Sequence, residues 1–310
     1  MLPIISYTTD EGGIMAYISV AQAAKKWKIS ERSVRNYCKM GRITGAFLTG
    51  KTWNIPADIS KPDRKPKQSK HANTLLNILK AEQSSKQHGG IYHKIQIDLT
   101  YNSNHIEGSQ LTHDQTRYIF ETNTIGVEDN TVKVDDIVET ANHFKCIDMI
   151  IENANYKPSE HFLKELHGVL KNGTSDSRKA WFAVGDYKRK PNEVGGHVTT
   201  SPEQVAAKMK SLLAKYNRKS KHTFEELLDF HYQFEAIHPF QDGNGRIGRL
   251  ILFKECLRNN IVPFIITDKI KMFYYKGLNE WPKNHERLTD TCLAAQNQMK
   301  AVLDYFKIKY

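Results

Sequence analysis

From about residue 71 onward, apolar side chains recur every three to four positions. The stretches DDIVETANHFKCIDMIIENA, PEQVAAKMKSLLAKY, TFEELLDFHYQFEAI and TCLAAQNQMKAVLDYF each carry an apolar stripe beside polar positions, the pattern of helices that bury one face. Thr112 with Gln115, and Thr223 with Glu226, have the spacing of a capping box and mark two helix starts. One stretch breaks the rhythm. In DYKRKPNEVGGHVTT, Asp186 to Thr200, Pro, Asn and paired glycines rule out a helix and predict a β-hairpin. The expected body is mainly α, with one hairpin and no parallel sheet.

The first sixty residues read differently. YISVAQAAKKWKISERSVRNYCKMGRI predicts two short helices, the first capped by Ser19 with Gln22, the second capped by Ser30 and stopped near Met40 by Gly41. Val34 and Tyr37, three apart, face inward and leave Arg32, Ser33, Arg35 and Asn36 outward. GRITGAFLTGKTWNIP predicts a hairpin that turns at Thr49, Gly50 and Lys51. Then comes ADISKPDRKPKQSKHAN, which has no hydrophobic period and reads as a stiffened linker. The expected organisation is a module over 1–58, a basic Pro-containing linker over 59–72 and a body over 73–310.

Charge sharpens this division. Residues 1–70 hold 13 Lys and Arg against 5 Asp and Glu, whereas the other 240 hold 32 against 29. Any contact with nucleic acid is therefore expected from the first module. The four scattered cysteines form no C-x-x-C pair, the first residues lack a secretion signal, and no apolar run approaches a membrane span. These features lead us to expect a cytoplasmic protein with reduced thiols and no membrane partner. A homo-oligomer is compatible with the sequence.

The module resembles the winged helix-turn-helix of the MerR and phage-excisionase kind over residues 17–58. The resemblance rests on the S-x-x-x-A-A pattern from Ser19 and the G-x-x-W-x-I-P pattern from Gly50 to Pro56. It implies DNA as a partner, with the second helix in the major groove. Arg32, Ser33, Arg35 and Asn36 would face DNA and Lys51 a phosphate.

The densest chemistry lies in HPFQDGNGRIGR, His238 to Arg249. Its GNGRIG matches the dinucleotide pattern G-x-G-x-x-G, with Asp268 at a tolerable distance, but a predicted helix precedes it where a strand is required. A calcium loop starting at Asp242 would need Gly where Ile247 stands and Glu where Phe253 stands. Both readings fail. Pro239 disfavours helical geometry at His238, so the preceding helix should end there and turn the imidazole into the loop. Gly243 and Gly245 permit positive φ and close approach, and the next helix begins immediately, so its N-terminus favours an anion. Arg246 and Arg249, three apart, suit neighbouring phosphates, Asp242 suits Mg²⁺, and His238 suits a general base.

These twelve residues fit the Fic-family signature H-P-F-x-[DE]-G-N-G-R-x-x-R at every fixed position, and the wider resemblance spans roughly residues 95–260. It implies a Fic-type helical bundle with a β-hairpin flap, joined here to the small N-terminal winged helix-turn-helix. It also implies ATP as co-substrate, Mg²⁺ as cofactor, and AMP transfer to a Ser, Thr or Tyr hydroxyl of an unidentified target protein. By position, His238 would deprotonate the hydroxyl and Asp242 would hold Mg²⁺. Asn244, with the backbone of Gly243 and Gly245, would cradle phosphates, Arg246 would bind the β-phosphate and Arg249 the γ-phosphate. The flap residues Asn192, Val194, Gly195, Gly196, His197 and Val198 would hold the target by strand addition.

Upstream, SNHIEG fits the family's inhibitory pattern, with Ser103, Glu107 and Gly108 at its fixed positions on a helix of about 95–108. The resemblance implies that Glu107 pairs with Arg249 and denies it to the γ-phosphate. Two alternatives stay open. One is a DNA-binding regulator in which the Fic part senses nucleotide; the other is a Fic-fold phosphotransferase or an enzyme that removes AMP.

Overall fold

The structure, a computed structural model, describes residues 5–8, 14–39, 42–62, 74–126 and 131–310. It divides into two compact units, residues 1–70 and 71–310.

In the first unit, α1 (Val20–Trp27) and α2 (Glu31–Lys39) accompany a four-stranded antiparallel sheet. Its strands are β1 (Ile5–Thr8), β2 (Ile14–Ile18), β3 (Phe47–Thr49) and β4 (Thr52–Pro56), in the order β1-β2-β4-β3. Ser19 and Gln22 close the capping box at the start of α1, and the Ser30 hydroxyl accepts from the Ser33 N–H at the start of α2. Val20, Ala23, Ala24, Trp27, Val34, Cys38, Ile43 and Ile55 form the unit's own core. Tyr37 is half-buried against that core. The β1–β2 hairpin was not expected, because its alternation is too short to stand out. The expected helix stop at Gly41 and most of the linker lie outside the described residues.

Among the described residues the second unit is built from ten α-helices: α3 (Leu75–Ser85), α4 (Ile91–Ile106), α5 (His113–Thr122), α6 (Val134–Glu152), α7 (Glu160–Lys171), α8 (Pro202–Tyr216), α9 (Phe224–Ile237), α10 (Asn244–Asn259), α11 (Lys271–Glu280) and α12 (Glu286–Tyr305). Between α7 and α8 lies the expected hairpin, β5 (Glu193–Val194) and β6 (His197–Val198), with Gly195 and Gly196 at positive φ in its turn. The capping boxes at Thr112 and Thr223 both form.

Helix α10 is the axis of the unit. It is buried on nearly every face and packs against α4, α6, α7 and α9. A helix in that position is normally apolar all round. Here Arg246, Arg249, Lys254 and Glu255 are buried along it, so its neighbours must supply partners for four charges. Lys254 and Glu255 pair with each other at 2.8 Å. The two arginines lie in the first two turns, where the site is built. All four cysteines are buried free thiols. Among the described residues no helix is long and apolar enough to cross a membrane.

Helices α11 and α12 meet at Gly277, where a Cβ would lie 2.7 Å from the Leu288 Cα and 2.8 Å from its N. Backbone cannot yield as a flexible side chain does. Gly277→Ala should therefore destabilise the protein by ~1–3 kcal/mol, an overpacking cost. Urea unfolding followed by helical circular dichroism checks it, and an unchanged midpoint would refute the close contact.

Candidate active site

Helix α9 ends at His238, whose φ of 53° and ψ of 63° place a non-glycine residue in the left-handed region. The His238 N–H caps the helix by donating to the Phe234 carbonyl at 3.0 Å, and Pro239 prevents the helix from continuing. The chain then turns around Phe240, which is fully buried and stacks on the His167 ring at 4.1 Å between centroids. Asn244 braces this turn. Its Oδ1 accepts from the Phe240 N–H at 2.7 Å, and its Nδ2 donates to the Phe240 carbonyl at 2.8 Å. The Asn244 side chain is thus engaged by the loop itself through both of its polar atoms.

The glycines also divide their roles. Gly243, at φ 81°, is the N-cap of α10 and needs its left-handed conformation. Gly245, expected to share that freedom, is an ordinary helical residue. Its need is space, since a Cβ there would meet the Glu107 carboxylate and lie 2.9 Å from Arg249 NH1. Above these two residues, the open end of α10 presents its first N–H groups, a favourable position for anions.

Two buried guanidinium groups flank that end. Arg246 pairs with Glu139 of α6 and, at 3.1 Å, with Asp242. Arg249 donates through Nε to the Ser103 hydroxyl at 3.0 Å, and through NH2 to the Ser103 carbonyl at 2.9 Å and to Glu107 at 2.7 Å. Burial works against the Arg249 charge, and the Glu107 carboxylate more than restores it. Ser103 lies near the end of α4, which spans Ile91–Ile106. Glu107 is its C-cap and Gly108 follows at φ 95°. The structure thus brings Ser103 and Glu107 onto Arg249, 142 residues away from Glu107 in sequence.

Asp242 lies at the centre of a cluster that sequence reasoning missed. Lys171, at the end of α7 and 2% exposed, reaches Asp242 Oδ2 at 2.6 Å, Glu139 at 2.5 Å and Asp176 at 3.4 Å. Burial acts to raise the Asp242 carboxyl, but Arg246 and Lys171 outweigh it and hold the group well below the usual carboxylate range. Asp242 is therefore an anion at neutral pH, with a side chain 46% exposed. An ionised, half-exposed single carboxylate fits Mg²⁺ that keeps waters and phosphate oxygens as its other ligands. It does not fit a metal caged by protein, and the described residues contain no cluster of three or more His, Cys, Asp or Glu.

His167, also missed, links the cluster to the loop. Its Nδ1 accepts from the Gly185 N–H at 3.0 Å, so Nε2 carries the proton and donates to the Asp242 carbonyl at 3.2 Å. Burial lowers its pKa to about 4, which keeps this tautomer neutral. Burial, with the Lys188 charge next, likewise lowers His238 to about 4. The free base is thus the prevailing form of His238 at neutral pH, as proton acceptance requires.

The expected flap residues form one hairpin beside the loop. Val194 and Val198 are exposed apolar side chains on it, and Asn192 at its foot donates to the Phe240 carbonyl at 3.2 Å. In the first unit, Arg32, Arg35 and Asn36 are exposed on α2, Ser33 is half-buried, and Lys51 is exposed in the β3–β4 turn. Arg35 is paired with Glu31 at 2.6 Å.

The loop, its two arginines and the hairpin have counterparts in known proteins. Residues 157–255 match the Fic/DOC family. That segment holds His167, Lys171, the hairpin and the whole loop from His238 to Arg249. Glu107, Glu139 and the first unit lie outside it. Among curated proteins, the chain is 29% identical over 186 residues to a protein adenylyltransferase Fic of Aedes aegypti, 59% of this chain and 36% of that one. A protein of the same name from Nematostella vectensis is 28% identical over 184 residues, 58% of this chain and 42% of that one. The chain thus spans well under half the length of these relatives. Among solved structures, a Fic domain-containing signaling protein from Bacteroides thetaiotaomicron is similar, with a TM-score of 0.56 and 28% identity over 74% of this chain and 90% of that one. Fic-1 of C. elegans, residues 134–508, shares the fold with a TM-score of 0.57 at 21% identity, over 74% and 69% of the two chains.

Behind Arg249 lies one more carboxyl group, Glu235 of α9, beneath Gly248, where any Cβ would strike it. Burial raises its pKa to about 8 against an ordinary 4.5. The unfolded chain ionises this group above its ordinary value while the folded chain keeps the proton until about 8. Stability therefore falls as pH rises through that window, by up to about 1.4 kcal/mol per pH unit. Glu235→Gln removes this penalty. Its stability relative to the parent should climb between about pH 5 and pH 8 and level off above. Denaturant titrations at three pH values test this, and a constant difference would show that Glu235 is ionised in the fold.

Proposed function

We propose that this chain transfers AMP from ATP to a hydroxyl group of a target protein. One observation carries the reading: a neutral His238 opens the loop that holds Asp242 and leads directly into the buried cations Arg246 and Arg249 in the first turns of α10. The names of the similar curated proteins agree with it. In this reaction the target oxygen attacks the α-phosphorus and the bond to the β-phosphate bridging oxygen breaks. His238 takes the hydroxyl proton, and pyrophosphate leaves. Arg246 and Arg249 offset the charge of the β- and γ-phosphates, as positioning and charge neutralisation demand. Asp242 would hold Mg²⁺, which when bound supplies positive charge between phosphates. The hairpin would receive the target as an added strand.

In this reading the Glu107–Arg249 ion pair is a brake. The carboxylate occupies the guanidinium that a γ-phosphate needs, and the Ser103 hydroxyl and carbonyl keep that guanidinium turned toward α4. Glu107→Gly should raise incorporation of label from α-³²P-ATP into protein at least tenfold, about 1.4 kcal/mol of relieved competition. Adding His238→Ala should abolish it, and γ-labelled ATP should leave no label. Equal incorporation with and without Glu107 removes the brake, and label from the γ-position makes the enzyme a phosphotransferase.

The first unit supports a second role in DNA binding. Arg32, Arg35 and Asn36 on α2 and Lys51 on the β3–β4 turn are exposed on a unit with 13 basic and 5 acidic residues. Arg32→Glu with Arg35→Glu in the full chain should weaken duplex DNA binding at least tenfold and flatten its salt dependence. An unchanged salt slope would assign these residues to another partner.

A further inference from the structure

Three lysines of the second unit are almost completely buried, and they are treated differently. Lys171 meets three carboxylates, and Lys254 pairs with Glu255. Lys188, only 3% exposed, donates instead to two neutral groups, Asn192 Oδ1 at 2.7 Å and Thr199 Oγ1 at 2.6 Å. Among the described residues no carboxylate forms an ion pair with it. A buried ammonium without a counter-charge is costly to keep, and such groups are found where the charge has a use.

Its position suggests that use. Asn192 and Thr199 are the two feet of the β5–β6 hairpin, joined by the Thr199 hydroxyl donating to the Asn192 carbonyl at 2.9 Å. The segment that leads into the first foot is tied to the loop that follows His238. The Lys188 N–H donates to the Pro239 carbonyl at 2.9 Å, Asn192 Nδ2 to the Phe240 carbonyl at 3.2 Å, and the Lys190 N–H to Gln241 Oε1 at 3.2 Å. Three consecutive loop residues, 239 to 241, are thus held by the segment that carries the hairpin, with the Lys188 ammonium in the middle.

We propose that Lys188 is a positioning residue joining the hairpin to the base: its ammonium, without a carboxylate partner, clasps both hairpin feet while its backbone N–H holds the loop after His238, and its charge sets the electrostatic environment of the His238 imidazole. This rests on the reading of His238 as the proton acceptor. The charges facing His238 come from three directions. Burial is the largest influence and Lys188 the next, both against protonation; Glu107 from the end of α4 and Asp242 from the loop act the other way. Only burial acts appreciably on Lys188, lowering it to about 8. Near neutral pH it is therefore still mostly charged, and a target strand added to the hairpin meets a base already free of its proton.

The test compares Lys188→Gln, which keeps hydrogen-bond donors without the charge, with Lys188→Arg, which keeps the charge. In the full chain, the His238 ring resonances are assigned with His238→Gln and titrated by NMR. In Lys188→Gln the imidazole should titrate roughly one pH unit higher, the effect of removing a nearby like charge. Lys188→Arg should restore the parent value. The acid limb of AMP incorporation, measured in the Glu107→Gly background, should move in step. An unmoved His238 titration in a folded Lys188→Gln overturns the proposal, even if activity falls. If Lys188→Gln loses its fold by circular dichroism, Thr199→Val takes its place. Removing one acceptor lets the ammonium turn toward water and should raise the His238 titration, and no rise overturns the proposal. A shifted titration without AMP incorporation upholds Lys188 and overturns the adenylyl-transfer reading, so the two failures are distinguishable.

Discussion

Four cations, Lys171, Lys188, Arg246 and Arg249, lie 2 to 5% exposed around one loop, and the need to balance their charge out of water shapes everything near it. Removing one partner from a buried ion pair costs about 3–5 kcal/mol, because the remaining charge is left without water or a counter-ion. This explains why α10, the most deeply buried helix, is ringed by carboxylates from elsewhere: Glu107 from the end of α4, Glu139 from α6, Asp176 after α7 and Asp242 from the loop. A site arranged in this way holds its buried cations without any ligand. At Arg249 the counter-charge comes from the chain's own carboxylate, Glu107, and in the proposed reaction a phosphate would compete for the same guanidinium.

The backbone is arranged to the same end. His238 adopts a left-handed conformation that a non-glycine residue takes only at some cost. Asn244 and Phe240 hold that bend from inside: one hydrogen-bonds both backbone groups of the other, and Phe240 is stacked between His167 and the core. A loop braced from within leaves its outward side, with the helix N-terminus and the imidazole, free of structural duties. The placement of Gly245 belongs to the same economy. Its missing Cβ lets Glu107 and Arg249 meet directly over the helix end.

Much of this was legible in the sequence, for identifiable reasons. Helix periodicity, capping pairs and the break around Pro191 to Gly196 are local signals, and the helices and the hairpin form where those signals stand. The loop was legible because its residue types are packed into twelve consecutive positions. Lys171, Glu139, His167, Lys188 and Glu235 were not legible. Each lies in an ordinary helix or turn, and its meaning comes from a partner distant in sequence, 71 residues away for Lys171 and 107 for Glu139. A lone lysine at a helix end reads as a solvated charge, and nothing in its neighbours says otherwise. The bracing role of the Asn244 side chain was not legible for a related reason. Sequence shows which groups are polar and near a phosphate loop but not which of them the loop uses to hold its own shape.

The unequal treatment of the buried charges bears on how such a site is controlled. Lys171 and Arg246 are locked among three carboxylates, Glu139 on α6, Asp176 after α7 and Asp242 in the loop, so their charge is fixed by the core. Arg249 and Lys188 are different. Arg249 is held by Ser103 and Glu107 at the C-terminal end of α4, and Lys188 by the feet of a two-residue-per-strand hairpin. Helix ends and short hairpins open at far lower free energy than core helices. Two of the buried cations are therefore held at a helix end and a short hairpin, and the other two by a cluster of carboxylates around the core helices.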